Sequence, residues 1–269
     1  MPDDVVARAL AAGAPRPAAE ALAARLPGLS PVLRAQVLRP LVPPAGLDVV
    51  RLGTAAARQG DGTTCGSAVL TMLAAAGDPT FAAWLVTGEG FAGYLAPEAA
   101  AVPAAERRAI ELGDAGAAAR FWAAQQAAKA RTNARAVLGL TWPTALGTPP
   151  WGAEGVARFP GAAYRAARVT GQDRSGALAA RVDAALAGGV PVPLYTGQDL
   201  PLLGAHGPAM PRHVVLLAGR DAGGYLVYEP SRGRLLRLSV ADLGARHRSP
   251  VPAFGGWTRP AWVLLPVRG

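Results

Sequence analysis

The chain has 269 residues, and its hydrophobic content of 51% is ample for a substantial buried core. Its formal net charge of +9 comes from scattered arginines, since Lys129 is the only lysine, and no stacking-aromatic module or zinc-finger spacing accompanies them, so we expect no nucleic-acid binding. A single cysteine excludes an internal disulfide framework and a cysteine-cluster metal site, favours a reducing compartment, and leaves no indication of a metal or cofactor.

The N-terminus does not look like a targeting segment. It carries Asp3 and Asp4 where a secretory signal has basic residues followed by an apolar run. No uninterrupted apolar stretch reaches about 18 residues, the length that would cross a membrane. We therefore expect a cytoplasmic protein without a membrane span, although export without a cleaved signal stays open. No oligomeric state is predicted.

Residues 1–47 predict a helical lead-in, and residues 48–269 predict one main domain. Pro40, Pro43 and Pro44 end the last lead-in helix. The predicted elements are, in order, one or two alanine-rich helices over 4–26 with a break near Pro15 and Pro17, a helix over 29–38, and a short β-like run over 48–52.

A glycine-rich loop then runs into a helix at the only cysteine, Cys65. The helical spacing rests on Val69, Met72, Leu73 and Ala76, with Gly77 and Pro79 as the stop signal. A thiol in the first turn of a helix is close to unpaired backbone N–H groups and to the positive end of the helix dipole, which favour the thiolate. The sequence therefore predicts that Cys65 is a nucleophile.

An insertion with a different character is expected at about 88–175. It contains predicted helices over 104–112 and 115–138, followed by a stretch rich in proline, glycine and tryptophan from Thr141 to Gly152. That stretch predicts an ordered loop, because its prolines and glycines are incompatible with a long helix or a central strand. Trp142 and Trp151 either pin this loop to the body or form one wall of a substrate cleft.

The C-terminal part predicts a sheet built from hairpins. Its elements are a helix over 176–186, strands over 190–195, 213–219, 225–229, 234–238 and 261–267, and a loop over 196–212. Helices followed by mostly antiparallel strands indicate an α+β fold.

A thiolate nucleophile needs a base, an orienting acceptor for that base, and donors for an oxyanion. His213 is the favoured base because it opens a predicted strand, whereas His206 and His247 lie in predicted loops. Glu229 ends the strand that returns from His213 and is the candidate orienting group. Gln59 and the N–H of Cys65 are the candidate oxyanion donors.

These residues resemble those of papain-like cysteine peptidases, most closely the bacterial C39 and C39-like peptidases. The resemblance rests on Gln59, on Cys65-Gly66 and the apolar helix after it, and on the strand His213–Gly219. It implies a papain-like fold in which a helical part carries the nucleophile and a mostly antiparallel sheet carries the histidine. It also implies a Cys65–His213–Glu229 triad with Gln59 in the oxyanion hole, and a peptide or protein substrate.

The chain departs from the family pattern in three places. Glu229-Pro230 stands where the family usually has Asp-Pro, Thr64 replaces an acidic or amide residue before the cysteine, and Arg212 replaces a small residue before the histidine. The segment at about 88–175 resembles nothing in the family core, and we expect it to decide the substrate.

Several functions are compatible with these residues. The leading hypothesis is a thiol hydrolase that cleaves a peptide or amide bond through a Cys65 acyl-enzyme. An acyltransferase, a cyclase or a deamidase uses the same triad. A papain-like binding protein without turnover, or an exported effector on the same scaffold, also stays open.

Overall fold

A computed structural model describes residues 2–112, 116–134, 136, 140–169, 176–199 and 209–268. The α-helices of these residues are α1 (Pro2–Ala11), α2 (Arg16–Arg25), α3 (Pro31–Leu38), α4 (Cys65–Gly77), α5 (Pro79–Thr87), α6 (Pro97–Ala100), α7 (Ala104–Leu112), α8 (Gly116–Asn133), α9 (Pro150–Glu154), α10 (Ala177–Ala187) and α11 (Val240–Leu243). The strands are β1 (Arg51–Leu52), β2 (Ala55–Ala56), β3 (Ala162–Arg168), β4 (Val192–Asp199), β5 (Ala209–Asp221), β6 (Gly224–Glu229), β7 (Arg234–Leu238) and β8 (Arg259–Arg268). Short 3-10 helices lie at Leu26–Gly28, Thr144–Leu146 and Pro252–Phe254.

Local sequence signals set several of the helix ends. The carboxylate of Asp78 accepts from the N–H groups of Thr80 and Phe81 and so caps the start of α5, with Pro79 in the first position. The same helix ends at Gly88, whose φ of 83° is the left-handed conformation that favours glycine. The predicted helix start at Cys65 is confirmed, since α4 begins at that residue.

The main sheet has six strands in the order β3-β8-β4-β5-β6-β7. Every neighbouring pair is antiparallel, and β1 and β2 form a separate two-stranded ribbon. The prediction of an α+β fold with an antiparallel sheet is therefore confirmed. The strand β5, which carries His213, lies inside the sheet between β4 and β6.

Hydrophobic cores cover both faces of this sheet. On one face α4 and α5 pack with the lead-in helices against sheet residues such as Val214 and Leu216. On the other face α10 packs on Val215 and Leu217, the alternate positions of the same strand. The lead-in helices thus cover part of the core, and α4 is buried along almost its whole length.

The predicted insertion is joined to the helical part by a buried ionic cluster. The guanidinium of Arg158 contacts Asp78 at 2.7 Å and Glu98 at 2.6 Å, and it also donates to the carbonyl of Ala12. Burial alone would lower the pKa of Arg158, but the two carboxylates outweigh it and raise that pKa. Within the insertion Arg158 contacts α6, and outside it Arg158 contacts the end of α1 and the start of α5.

One strand of the structure was not predicted, and the bounds of one predicted loop are wrong. The strand β3 was not predicted, because its alanines and arginines have low strand propensity and only Tyr164 is buried along this edge strand. β4 continues to Asp199 and β5 begins at Ala209, so the predicted loop over 196–212 is wrong at both ends, while 200–208 lie outside the described residues.

The helix predicted over 115–138 is shorter in the structure. α8 ends at Asn133, and Ala134 is already in a turn. The carbonyl of Asn133 accepts from the N–H of Trp142, so the tryptophan loop satisfies a backbone group at this helix end.

Within the described part of the chain, no single helix is long and apolar enough to cross a membrane. Only α4 and α5 together would reach the length and apolar content of a membrane span, and they are bent by 116° with respect to each other. Both are buried in the core.

Candidate active site

Thr64 shapes the turn that delivers Cys65 to the start of α4. Its hydroxyl accepts from the N–H groups of Gly60 and Asp61, each at 3.1 Å, and donates to the Asp61 carbonyl. The backbone N–H of Cys65 lies in the first helical turn and has no acceptor within the helix. The structure therefore gives the thiol the helix-start environment that the sequence predicts.

His213 joins the cysteine to the glutamate. Its imidazole lies close enough to the Cys65 thiol for the sulfur to raise the pKa of the ring, and its Nε2 lies 2.8 Å from Oε1 of Glu229. The β5–β6 hairpin makes this contact, because Tyr228 pairs with Leu216 and Glu229 is one residue nearer to His213. The structure thus brings Cys65, His213 and Glu229 together.

Glu229 is buried but well supplied with donors. It accepts from the N–H of Ser231 at 2.8 Å, from the Ser231 hydroxyl at 2.8 Å and from the N–H of Arg232 at 3.1 Å. Burial opposes ionisation, but the hydrogen bonds from His213 and Ser231 outweigh it and lower the pKa of this carboxyl. Glu229 therefore presents an ionised acceptor to the histidine.

The same contacts act on the histidine in the opposite direction. Burial would lower the pKa of His213, but the hydrogen bonds and charges of Cys65 and Glu229 raise it to about 9. At neutral pH the ring is an imidazolium held between a carboxylate and the sulfur.

A glycine seats the histidine ring. A Cβ added to Gly255 would lie 2.1 Å from Cδ2 and 2.5 Å from Nε2 of His213. Gly255 also has a φ of 67°, which side-chain-bearing residues rarely adopt. The turn after the 3-10 helix Pro252–Phe254 therefore requires glycine for two separate reasons.

Gln59 lies beside the end of β6. Its backbone N–H donates to the carbonyl of Pro230 at 2.8 Å, and its side-chain Nε2 donates to the carbonyl of Asp61 at 2.7 Å. Its Oε1 is buried without a hydrogen-bond partner among the described residues. One amide N–H of Gln59 is engaged in the loop, so only the other can serve an oxyanion, and its role there stays a prediction.

Helix α8 holds the loop that precedes Cys65, a function that our sequence analysis missed. Gln125 accepts from the N–H of Gly60 at 3.1 Å and donates to the carbonyl of Arg58 at 3.2 Å. The ring of Trp122 packs so close to Gly60 that an added Cβ would lie 1.7 Å from it. The spacing of 122, 125 and 129 places these residues on one helix face, and that spacing was the available signal.

Lys129 completes this clamp. Its Nζ donates to the hydroxyl of Thr63 at 2.5 Å, and Thr63 in turn donates through its hydroxyl and its N–H to Asp61. Burial opposes ionisation of Asp61, but the Thr63 hydrogen bonds and the Lys129 charge outweigh it and lower its pKa. The only lysine of the chain is therefore buried beside the nucleophile loop.

A cavity of about 540 Å³ opens beside Cys65 and His213. Three tryptophans form one side of it, with ring centroids 5.4 Å apart for Trp142 and Trp151 and 6.3 Å apart for Trp151 and Trp262. The tryptophan loop is thus a wall of the cavity, as one of the two sequence interpretations proposed. It also contacts the nucleophile helix, because Thr148 lies against Gly66.

The remaining histidines do not compete for the base position within the described residues. His247 contacts the Asp242 carbonyl at 3.3 Å and packs on Phe254, and it does not line the cavity. His206 lies outside the described residues. No group of three or more His, Cys, Asp or Glu side chains in the described part of the chain is arranged to hold a metal ion.

Comparisons with known proteins give no assignment. No protein-family model matches the chain, and neither a curated protein nor a solved structure matches it significantly.

Proposed function

We propose that this protein is a thiol-dependent hydrolase that cleaves a peptide or amide bond through an acyl-enzyme on Cys65. The observation that carries the proposal is the chain of side-chain contacts from Cys65 through His213 to Glu229 at the edge of a cavity. A buried imidazole between a thiol and a carboxylate is the arrangement that nucleophilic catalysis requires.

The proposed reaction has two halves. The Cys65 thiolate attacks the carbonyl carbon, the C–N bond breaks, and the His213 imidazolium gives its proton to the departing amine. Water then attacks the thioester carbonyl while His213 takes a proton from that water. The C–S bond breaks, the carboxylic acid leaves, and Cys65 and His213 return to their starting states. Glu229 keeps the His213 ring oriented in both halves. The backbone N–H of Cys65 and the side-chain amide of Gln59 stabilise the oxyanion.

We further propose a papain-like arrangement for the fold. The support is that the nucleophile begins a buried helix, α4, while the base lies on an antiparallel strand, β5, that packs against it. The resemblance of the Cys65 helix and of the His213 strand to C39-like peptidases points the same way. A peptide or protein substrate is the corresponding expectation.

A peptide-library digestion read by mass spectrometry tests the function. Wild-type protein should release fragments with a consistent cleavage position, and Cys65→Ala should release none. In water enriched in ¹⁸O, hydrolysis places the heavy isotope in the new carboxylate. A product that joins two peptides, or one that lacks ¹⁸O, would assign the site to acyl transfer instead.

Thiol reactivity supplies an independent readout. We expect iodoacetamide to label Cys65 faster at pH 6 than it labels a small free thiol, because Cys65 begins helix α4 and lies beside His213. His213→Gln should remove that advantage. Ordinary reactivity of Cys65 in the wild type, together with no cleavage of any peptide, would refute the hydrolase and leave a binding protein.

A further inference from the structure

The cavity beside Cys65 combines an aromatic wall with two cations. Trp142, Trp151 and Trp262 form the wall, and the guanidinium of Arg168 lies 5.0 Å from the centroid of the Trp262 ring. A guanidinium over the face of a ring can still donate through its N–H groups. Arg212, directly before His213, also lines the cavity.

These two arginines are not used in ion pairs within the described part of the chain. Nine arginines there are paired with carboxylates, namely Arg16, Arg25, Arg158, Arg165, Arg220, Arg234, Arg237, Arg246 and Arg259. Arg168 and Arg212 have no carboxylate within ion-pair distance among the described residues. Both are exposed on the cavity side of the molecule.

No acidic side chain among the described residues lines the cavity. Its wall also includes polar groups that lack acceptors: the indole N–H of Trp142 and the hydroxyls of Thr148 and Tyr195 are buried without a hydrogen-bond partner among the described residues. Such groups are uncommon in folded proteins. The described surroundings of the cavity therefore have donors in excess and no carboxylate.

We propose that this cavity binds a substrate that carries a carboxylate next to a large apolar or aromatic side chain. The aromatic side chain packs on the tryptophan wall, and the carboxylate accepts from Arg168 and Arg212. A cationic side chain is rejected by the same two guanidinium groups. This proposal rests on the proposed function in that it assigns the substrate class of the same site.

The test measures binding without turnover. Cys65→Ala protein is titrated with short acetylated and amidated peptides of sequence Gly-Phe-X-Gly-Gly, in which X is Glu, Gln or Lys. The Glu peptide should bind about tenfold more tightly than the Gln peptide, because each of the two exposed arginines can lower the Kd by up to about fivefold. The Lys peptide should bind most weakly. The preference should shrink at high salt.

Substitutions locate the effect. In the Cys65→Ala background, Arg168→Gln and Arg212→Gln should each reduce the Glu preference, and the double variant should abolish it. Arg181→Gln is the matched control, since it removes an equally exposed arginine from α10, which does not line the cavity. A Glu preference that survives the double variant, or equal binding of the Glu and Gln peptides, overturns the proposal.

One further peptide tests whether the position of the carboxylate matters. The Gln peptide with a free C-terminus, in place of the amide, carries its carboxylate two residues further from the phenylalanine and should bind no more tightly than its amidated form. A gain as large as that of the Glu peptide would show that any nearby negative charge suffices and would overturn the proposal. A Glu preference in Cys65→Ala without any peptide cleavage by the wild type would contradict only the proposed function, whereas cleavage without a Glu preference contradicts only this inference.

Discussion

The imidazole of His213 lies directly on the backbone of Gly255, with Cδ2 and Nε2 occupying the space that a Cβ would need. Three neighbours therefore restrict the ring. Glu229 binds its Nε2, and the Cys65 thiol lies beside it. Gly255 limits the movement of the ring plane. A glycine distant in sequence thus positions the candidate base.

Substituting Gly255 should therefore affect the reaction and not only stability. We expect Gly255→Ala to displace His213 and to lower kcat about a hundredfold, since misplacing a catalytic group by about 1 Å has costs of that order. Gly256→Ala is the matched control, because Gly256 shares the positive φ, at 86°, but has no atom within 4 Å of an added Cβ. It should cost about 1 kcal/mol in unfolding free energy and leave kcat unchanged. Equal kcat losses in the two variants would contradict the positioning role.

The charge of Glu229 can be separated from its hydrogen bonds. Glu229→Gln keeps an acceptor for His213 and should lower kcat about tenfold, while lowering the pKa of His213 because the neighbouring negative charge is lost. Glu229→Ala also leaves the N–H groups of Ser231 and Arg232 without their acceptor, so its unfolding free energy should fall by about 1–3 kcal/mol. Thermal melts and kcat/KM on both variants check this. A Gln variant as active as the wild type would remove Glu229 from the triad.

The pH dependence follows from the raised pKa of His213. A free imidazole loses its proton near 6.5, whereas His213 keeps it until about 9, so the imidazolium that donates to the leaving group persists from neutral pH to about 9 and is lost above it. We expect kcat/KM to fall on the alkaline side with a midpoint near 9. The linked contribution to stability has the same sign: it is complete below about 6.5 and is lost as the pH rises to about 9.

NMR titration of the His213 ring checks that midpoint directly. In reduced wild-type protein the ring should titrate near 9, and in Cys65→Ala the midpoint should move down, because the thiol contributes both a hydrogen bond and a charge that raise the pKa. An unchanged midpoint in Cys65→Ala would show that the sulfur does not interact with the ring.

Much of this arrangement is predictable from local sequence. Cys65 precedes a helical apolar pattern, His213 begins an apolar run of strand length, and Glu229 ends the strand that follows a short turn, so each residue carries its own nearby signal. The antiparallel pairing of β5 with β6 then brings His213 close to Glu229. The α+β class follows from the same order of elements.

The remaining features depend on contacts between segments that are far apart in sequence. The clamp on the nucleophile loop joins residues 58–64 to α8, and Gly255 approaches His213 from more than forty residues away, so neither contact leaves a local pattern. The edge strand β3 was missed because its alanines and arginines do not alternate in polarity. Backbone hydrogen bonds to β8 hold β3 in the sheet, and they do not depend on the side chains of β3.

Lys129 should act on the reaction through Thr63. Lys129→Met removes the donor to the Thr63 hydroxyl and the charge that acts on Asp61, so the loop before Cys65 should loosen and kcat should fall about tenfold. Thr63→Val should have a similar effect, and the double variant should be no worse than either single one if the two residues act as a unit. Arg131→Gln, an exposed change on the same helix, is the control and should be neutral. Additive losses would show that Lys129 acts elsewhere.

Gln59 allows its loop contact and its proposed catalytic contact to be measured separately. Gln59→Ala and the isosteric Gln59→Glu both remove the amide donor, so each should lower kcat about 10²- to 10³-fold, the usual effect of losing one oxyanion donor. Alkylation of Cys65 by iodoacetamide forms no oxyanion at a carbonyl, and its rate should stay near the wild-type value in both variants. If alkylation slows as much as kcat, then Gln59 acts by holding the Asp61 carbonyl and the turn before Cys65, through its 2.7 Å hydrogen bond, and the oxyanion role is wrong.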